Sequence, residues 1–106
     1  MKRFNLANMV NGWFVGDFTP CAHATTAAEV GVKTYKAGDV ADAHVHRIAT
    51  EVTLILTGEA EMNGQHLMAG DIATISPGES ASFKAITDVV TVVVKTPSAP
   101  NDKYLS

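Results

Sequence analysis

An all-β sandwich or barrel is the architecture this sequence predicts. Three observations carry it: turn-forming residues recur every few positions, the runs between them are too short for helices, and those runs are rich in β-branched residues. The turns fall at Asn11-Gly12, Thr19-Pro20, Ala37-Gly38-Asp39, Thr57-Gly58-Glu59, Asn63-Gly64, Ala69-Gly70-Asp71 and Ser76-Pro77-Gly78-Glu79.

The elements follow in order. Trp13-Phe14-Val15 forms a first strand inside an N-terminal segment, 10–18. Cys21 to Ala28 carries alanines that suit a helical turn, and a loop suits it equally. Val30 to Tyr35 is a strand, and His44-Val45-His46 lies on the next. Glu51 to Thr57 alternates with several β-branched residues. Glu59 to Met62 and Gln65 to Met68 flank Asn63-Gly64, a pair that tolerates the positive φ angles of a type I′ hairpin turn. Ile72 to Ile75 is short, and Val89 to Lys95 is nearly continuous valine and threonine, as a strand covered on both faces would be. Pro97 and Pro100 stop that sheet, so the tail, 97–106, either frays or docks Tyr104 and Leu105 back on the barrel or on a neighbouring subunit. Ala37-Gly38-Asp39-Val40-Ala41 is echoed by Ala69-Gly70-Asp71-Ile72-Ala73, which reads as one turn type used twice or as two related β-modules facing each other.

The length of 106 residues suits one domain spanning 1–106, with its core at about 28–96. Hydrophobic residues make up 46% and charged residues 18%, which excludes a disordered chain. A net charge of −3 excludes the basic surface of a nucleic-acid binder. No stretch approaches the ~20 apolar residues of a membrane span, and Asn5, Asn8 and Asn11 interrupt any signal peptide. Cys21 is alone, so no intrachain disulfide forms, and a cytoplasmic location is expected.

Chemistry concentrates at Gly38-(five residues)-His44-Val45-His46-(four residues)-Glu51-(six residues)-Gly58. Histidines at i and i+2 on a strand point to one face, and a glutamate one hairpin away comes round to join them. Two neutral imidazoles and a carboxylate form a facial triad for a divalent transition metal, with positions left open for water or substrate. Iron, manganese, zinc, nickel and copper all suit it. Protons compete with the metal for both imidazoles, so affinity is expected to fall below about pH 6.5, the value of a free histidine side chain. Outside this spacing, His66 is expected on an exposed hairpin. Cys21 with His23 supplies only two donors, and Glu79 reads as a turn carboxylate unless it turns inward. Trp13, Phe14 and Phe18 read as packing residues, or as the lining of a pocket or interface.

These residues resemble the cupin superfamily. Gly38, His44, His46, Glu51 and Gly58 match its first motif at every defined position, and Gly70 to Phe83 resembles its second. The resemblance implies a jelly-roll β-barrel of about six to eight strands with a metal inside, and a homodimer. It also implies a metal shell of His44, His46 and Glu51, because Ala81 stands where the family places a fourth ligand, a histidine. Isomerisation and dioxygenation both occur in the superfamily. The expected function is therefore a small metalloenzyme acting on a chelating organic acid, diketone or sugar, with Glu51 as ligand or base. The alternative is a non-catalytic module that binds a small molecule or a metal. Strand parity nominates Tyr35, Thr53, Ile55, Ala81 and Phe83 as the substrate wall.

Overall fold

Asparagine and glycine at positive φ end the strands where the turn chemistry places them. Asn63 and Gly64 sit at φ 51° and 75°, as a two-residue hairpin turn requires. Gly58 sits at φ 90°, and a Cβ there would strike the carbonyl of Asp88.

The computed structural model describes residues 1–106. After a 3-10 turn at Leu6–Asn8 come β1 (Trp13–Gly16), β2 (His23–Ala24), β3 (Glu29–Tyr35), β4 (Val40–Val45), β5 (Thr50–Thr57) and β6 (Glu59–Met62). Then follow β7 (Gln65–Met68), β8 (Ile72–Ile75), β9 (Ala81–Ala85), β10 (Val89–Thr96) and β11 (Tyr104–Leu105). One sheet has the order β2-β1-β3-β10-β5-β8 and the other β11-β4-β9-β6-β7. They face each other as a jelly roll. The core between them is built on Ile55, Ala60, Met62, Ile75, Ala81, Phe83, Ala85 and Val89.

The inward faces change character along the barrel. On β5 the inward series runs Glu51, Thr53, Ile55, and on β10 it runs Lys95, Val93, Thr91, Val89. One end is therefore closed by apolar packing and the other is polar. This gradient places the site.

The repeated Gly-Asp turn does the same work in each sheet. Gly38 N–H donates to Ala85 O and Ala85 N–H to Asp39 O, at 2.8 and 2.9 Å; Gly70 N–H donates to Ile55 O and Ile55 N–H to Asp71 O, at 2.7 and 2.9 Å. Each aspartate also accepts from the backbone three residues earlier, Lys36 and Met68, at 2.8 Å. The echo in the sequence is thus two equivalent strand-docking turns, one per sheet.

Four expectations change. Cys21 to Ala28 holds no helical turn; it contains β2, paired parallel to β1. Val89 to Lys95 is fully covered on one face only: Val89, Thr91 and Val93 are buried, while Val90, Val92 and Val94 are half-buried on the outer face. Glu51 does not reach the histidines through a hairpin, because β4 and β5 belong to different sheets and the 46–49 segment crosses between them. The tail is not frayed. It runs back across the barrel, and β11 pairs with β4, Tyr104 opposite Val45 and Leu105 opposite His44.

Candidate metal centre

β4 begins with Val40 and Ala41 aligned to Lys84 and Phe83 of β9, and the register then shifts before His44 pairs with Ala81. This bulge lets Ala41 and His44, three positions apart, both line the same cavity. His46 follows on the same side, at the polar end, and Glu51 enters from the opposite sheet.

One ligand atom from each of His44, His46 and Glu51 lies within 4.8 Å of the others. The imidazole centroids are 5.2 Å apart, nearly edge-on at 78°. His46 is 3% exposed, and the Glu51 side chain 12%.

Both histidines have one ring nitrogen committed. His44 Nδ1 donates to the carbonyl of Asp42 at 3.1 Å, and His46 Nδ1 donates to the carbonyl of Asp102. A proton fixed on Nδ1 leaves the Nε2 lone pair free on each ring, the arrangement that orients metal-binding imidazoles. His46 Nε2 is buried and has no hydrogen-bond partner. It faces Glu51 Oε1 at 3.4 Å. Two acceptors turned toward one another in a buried place repel unless a cation stands between them. Glu51 is held in turn by the Thr53 hydroxyl, which donates to Oε2 at 3.3 Å. The donor set, the fixed tautomers and the orphaned nitrogen all fit a divalent metal.

The tail supports this frame. Asp102 accepts from Arg47 N–H on Oδ1 at 2.9 Å, and from the Ile48 and Ala49 N–H groups on Oδ2 at 3.0 Å. The segment that carries the chain from His46 to Glu51 is therefore pinned by one carboxylate. The Arg47 guanidinium also lies 3.8 Å over the ring of Tyr104. Sequence reasoning missed Asp102, and no local pattern around it marks it.

Of the nominated wall, Tyr35, Thr53, Ala81 and Phe83 line the cavity, which has a volume of about 310 Å³. Ile55 does not; it is fully buried in the core, because the apolar end of β5 lies below the site. Tyr35 stacks on Phe83 with centroids 4.5 Å apart. Burial, and then the charges of Glu51 and Asp39, push its phenol up, so it remains a hydrogen-bond donor at neutral pH. Trp13 lines the cavity, one of the roles its sequence context left open, and so do Lys33, Lys95 and Lys103, which sequence reasoning did not nominate.

The other candidates stand apart. Glu79 accepts from Ser76 N–H at 3.0 Å in its own turn, exposed. His66 pairs with Glu59 at 3.0 Å on the hairpin surface. His23 is exposed on β2, and Cys21 is half-buried without a third ligand nearby.

No protein-family profile matches the chain, and no curated protein does. Solved structures do. A conserved protein with a double-stranded beta-helix domain from Klebsiella pneumoniae is 30% identical, with a TM-score of 0.70, over 77% of this chain and 72% of its own. A cupin protein from Bacteroides fragilis is 23% identical, with a TM-score of 0.60, over 76% and 74%. The chain belongs to the cupin superfamily. Oxalate decarboxylase from Bacillus subtilis, described with Mn(II) centres, shares this cupin's fold at 16% identity and a TM-score of 0.67, over 76% of this chain and 24% of its own.

The pairing of Ala81 with His44 gives this cupin a simple gain-of-ligand test. Ala81 is 3% exposed, and its Cβ is the only side-chain atom it offers the cavity. Ala81→His is expected to tighten divalent-metal binding by at least about tenfold, because a fourth protein donor replaces a water. Isothermal titration with manganese or zinc reads the change.

Proposed function

We propose that this cupin is a metalloenzyme of the isomerase or dioxygenase type, acting on a small chelating organic acid, diketone or sugar. One observation carries the reading: a buried His46 Nε2, without a hydrogen-bond partner, turned toward the Glu51 carboxylate. A divalent metal held by His44, His46 and Glu51 would supply Lewis acidity for a substrate carbonyl or enolate. Manganese is the first metal to test, given the Mn(II) centres of the Bacillus subtilis neighbour.

The chain's own groups divide the remaining work. Thr53 orients Glu51, which serves as ligand or as the base for a proton next to a carbonyl. Tyr35 keeps its phenolic proton and donates into the cavity. Phe83 forms an apolar wall that limits water.

A second reading, a non-catalytic module for a small molecule or a metal, is favoured by Ala81, where the fourth ligand of the family is missing. Metal analysis of protein purified without an affinity resin, paired with a turnover screen of chelating acids, diketones and sugars, decides. Stoichiometric metal with turnover that disappears on chelation supports the enzyme. Saturable binding without turnover supports the module. Absence of stoichiometric metal overturns both the site and the enzyme.

We also propose a cytoplasmic homodimer. The half-buried valines of β10 and the exposed Leu56 and Ile72 leave an apolar outer face on the six-stranded sheet. No helix is long and apolar enough to cross a membrane.

A further inference from the structure

The cavity that holds His44, His46 and Glu51 is also lined by Lys33, Lys95 and Lys103. They arrive from β3, β10 and the tail, positions scattered through the sequence. The chain has a net charge of −3 and eight lysines and arginines in all, so three cations in one cavity is an uneven placement.

None of the three has a carboxylate within 4.0 Å; the ion pairs of the molecule are His46–Glu51 and His66–Glu59. The register puts Glu29 and Glu51 beside Lys95 on its two neighbouring strands. Both are taken. Glu29 Oε2 accepts the Ser98 hydroxyl and the Ala99 N–H, each at 3.0 Å, and Glu51 faces His46 and Thr53. Two of the lysines gather instead on Trp13: the Nζ atoms of Lys33 and Lys95 lie 5.2 and 4.9 Å from its ring centroid. Lys33 Nζ also donates to the carbonyl of Asn11 at 2.6 Å. Burial, and then repulsion from Lys95 and Lys103, hold the Lys33 ammonium below its usual value. Like charges kept together without a directly paired carboxylate weaken a fold, and binding sites are where such arrangements persist.

We propose that Lys33, Lys95 and Lys103 form an anion subsite for a carboxylate of the substrate, distinct from the oxygens that chelate the metal. The inference rests on the metal-site reading above and narrows its substrate class to a small organic acid carrying a second anionic group. Diketones and neutral sugars lack that group. Lys95 stands across from Glu51 in the strand register, and the lysines line the same cavity as the three candidate ligands.

Trp13 is the single tryptophan, and both ammoniums rest on it, so its fluorescence reads the subsite with or without metal. The full chain is titrated with two matched pairs, 2-oxoglutarate against 2-oxopentanoate and malate against 2-hydroxybutyrate, in which one carboxylate replaces one methyl. The dianion of at least one pair is expected to bind about tenfold more tightly, the effect of one charge-assisted contact, with the margin shrinking as salt is added. Lys95→Gln and Lys33→Gln remove the preference, and Lys95→Arg retains it. Both glutamine variants are expected to melt at a temperature no lower than the parent, which establishes that they fold. Equal binding within both pairs, or a preference indifferent to the lysines, overturns the subsite. Tighter binding of glycerol 3-phosphate than of either dicarboxylate overturns the carboxylate assignment. The two proposals fail separately: a lysine-dependent preference in a chain that takes up no metal sinks only the metal reading, and stoichiometric metal without the preference sinks only the subsite.

Discussion

Replacing His46 by alanine is expected to abolish stoichiometric metal while leaving the barrel folded. The apparent binding free energy of a four-ligand structural zinc site is about 10–16 kcal/mol, so each donor contributes on the order of 3 kcal/mol. Losing one therefore lowers affinity roughly a hundred- to a thousandfold. Here the loss falls on a set of only three, and two protein donors do not hold a divalent ion against water. His46 is the most deeply buried of the three, and its Nε2 is the atom without a partner. The backbone frame does not depend on the ring: Arg47, Ile48 and Ala49 stay hydrogen-bonded to Asp102. Native mass spectrometry reads the metal and circular dichroism the fold. Unchanged metal content in a folded variant removes the assignment.

Asp102→Ala is expected to cost about 3–5 kcal/mol, since three hydrogen bonds to a charged acceptor are lost and the freed N–H groups are partly buried. A domain of this kind has a total stability of about 5–15 kcal/mol, so the loss is large. Metal affinity is also expected to fall, by about 10–100-fold, because the carbonyl of the same residue holds His46 Nδ1. The pH dependence follows from the carboxyl. Burial pushes it up, but the N–H donors of Ala49, Arg47 and Ile48 outweigh that and set it below its ordinary 3.8. A depressed folded-state value means the stabilisation is complete above 3.8 and is lost as pH falls through the lower, folded value. Denaturant unfolding of both proteins at pH 7, 5 and 3 is expected to show a constant gap that narrows only at the most acidic point. A gap unchanged at pH 3 would show that the side chain acts by packing rather than by charge.

What the sequence made legible was local. Asn63-Gly64 announced its hairpin because few other pairs adopt both positive φ angles. His44, His46 and Glu51 were readable because their spacing is short and its chemistry specific. The rest depends on contacts between distant segments. Asp102 supports His46 across 56 positions. Lys33, Lys95 and Lys103 share one cavity only because β3, β10 and the tail converge on it. Four of the residues that parity reasoning nominated line the cavity and Ile55 does not, because parity gives the face of a strand and not the depth along it. The valine run of β10 suggested two covered faces, whereas one remains half-open.

The buttress at position 102 has a consequence for how the protein matures. A ribosome delivers both histidines and the glutamate long before it delivers the carbonyl that steadies the second imidazole. A nascent chain thus presents its three candidate donors early but in a loose arrangement, and the second imidazole is held in place only after that later segment has emerged and zipped alongside β4.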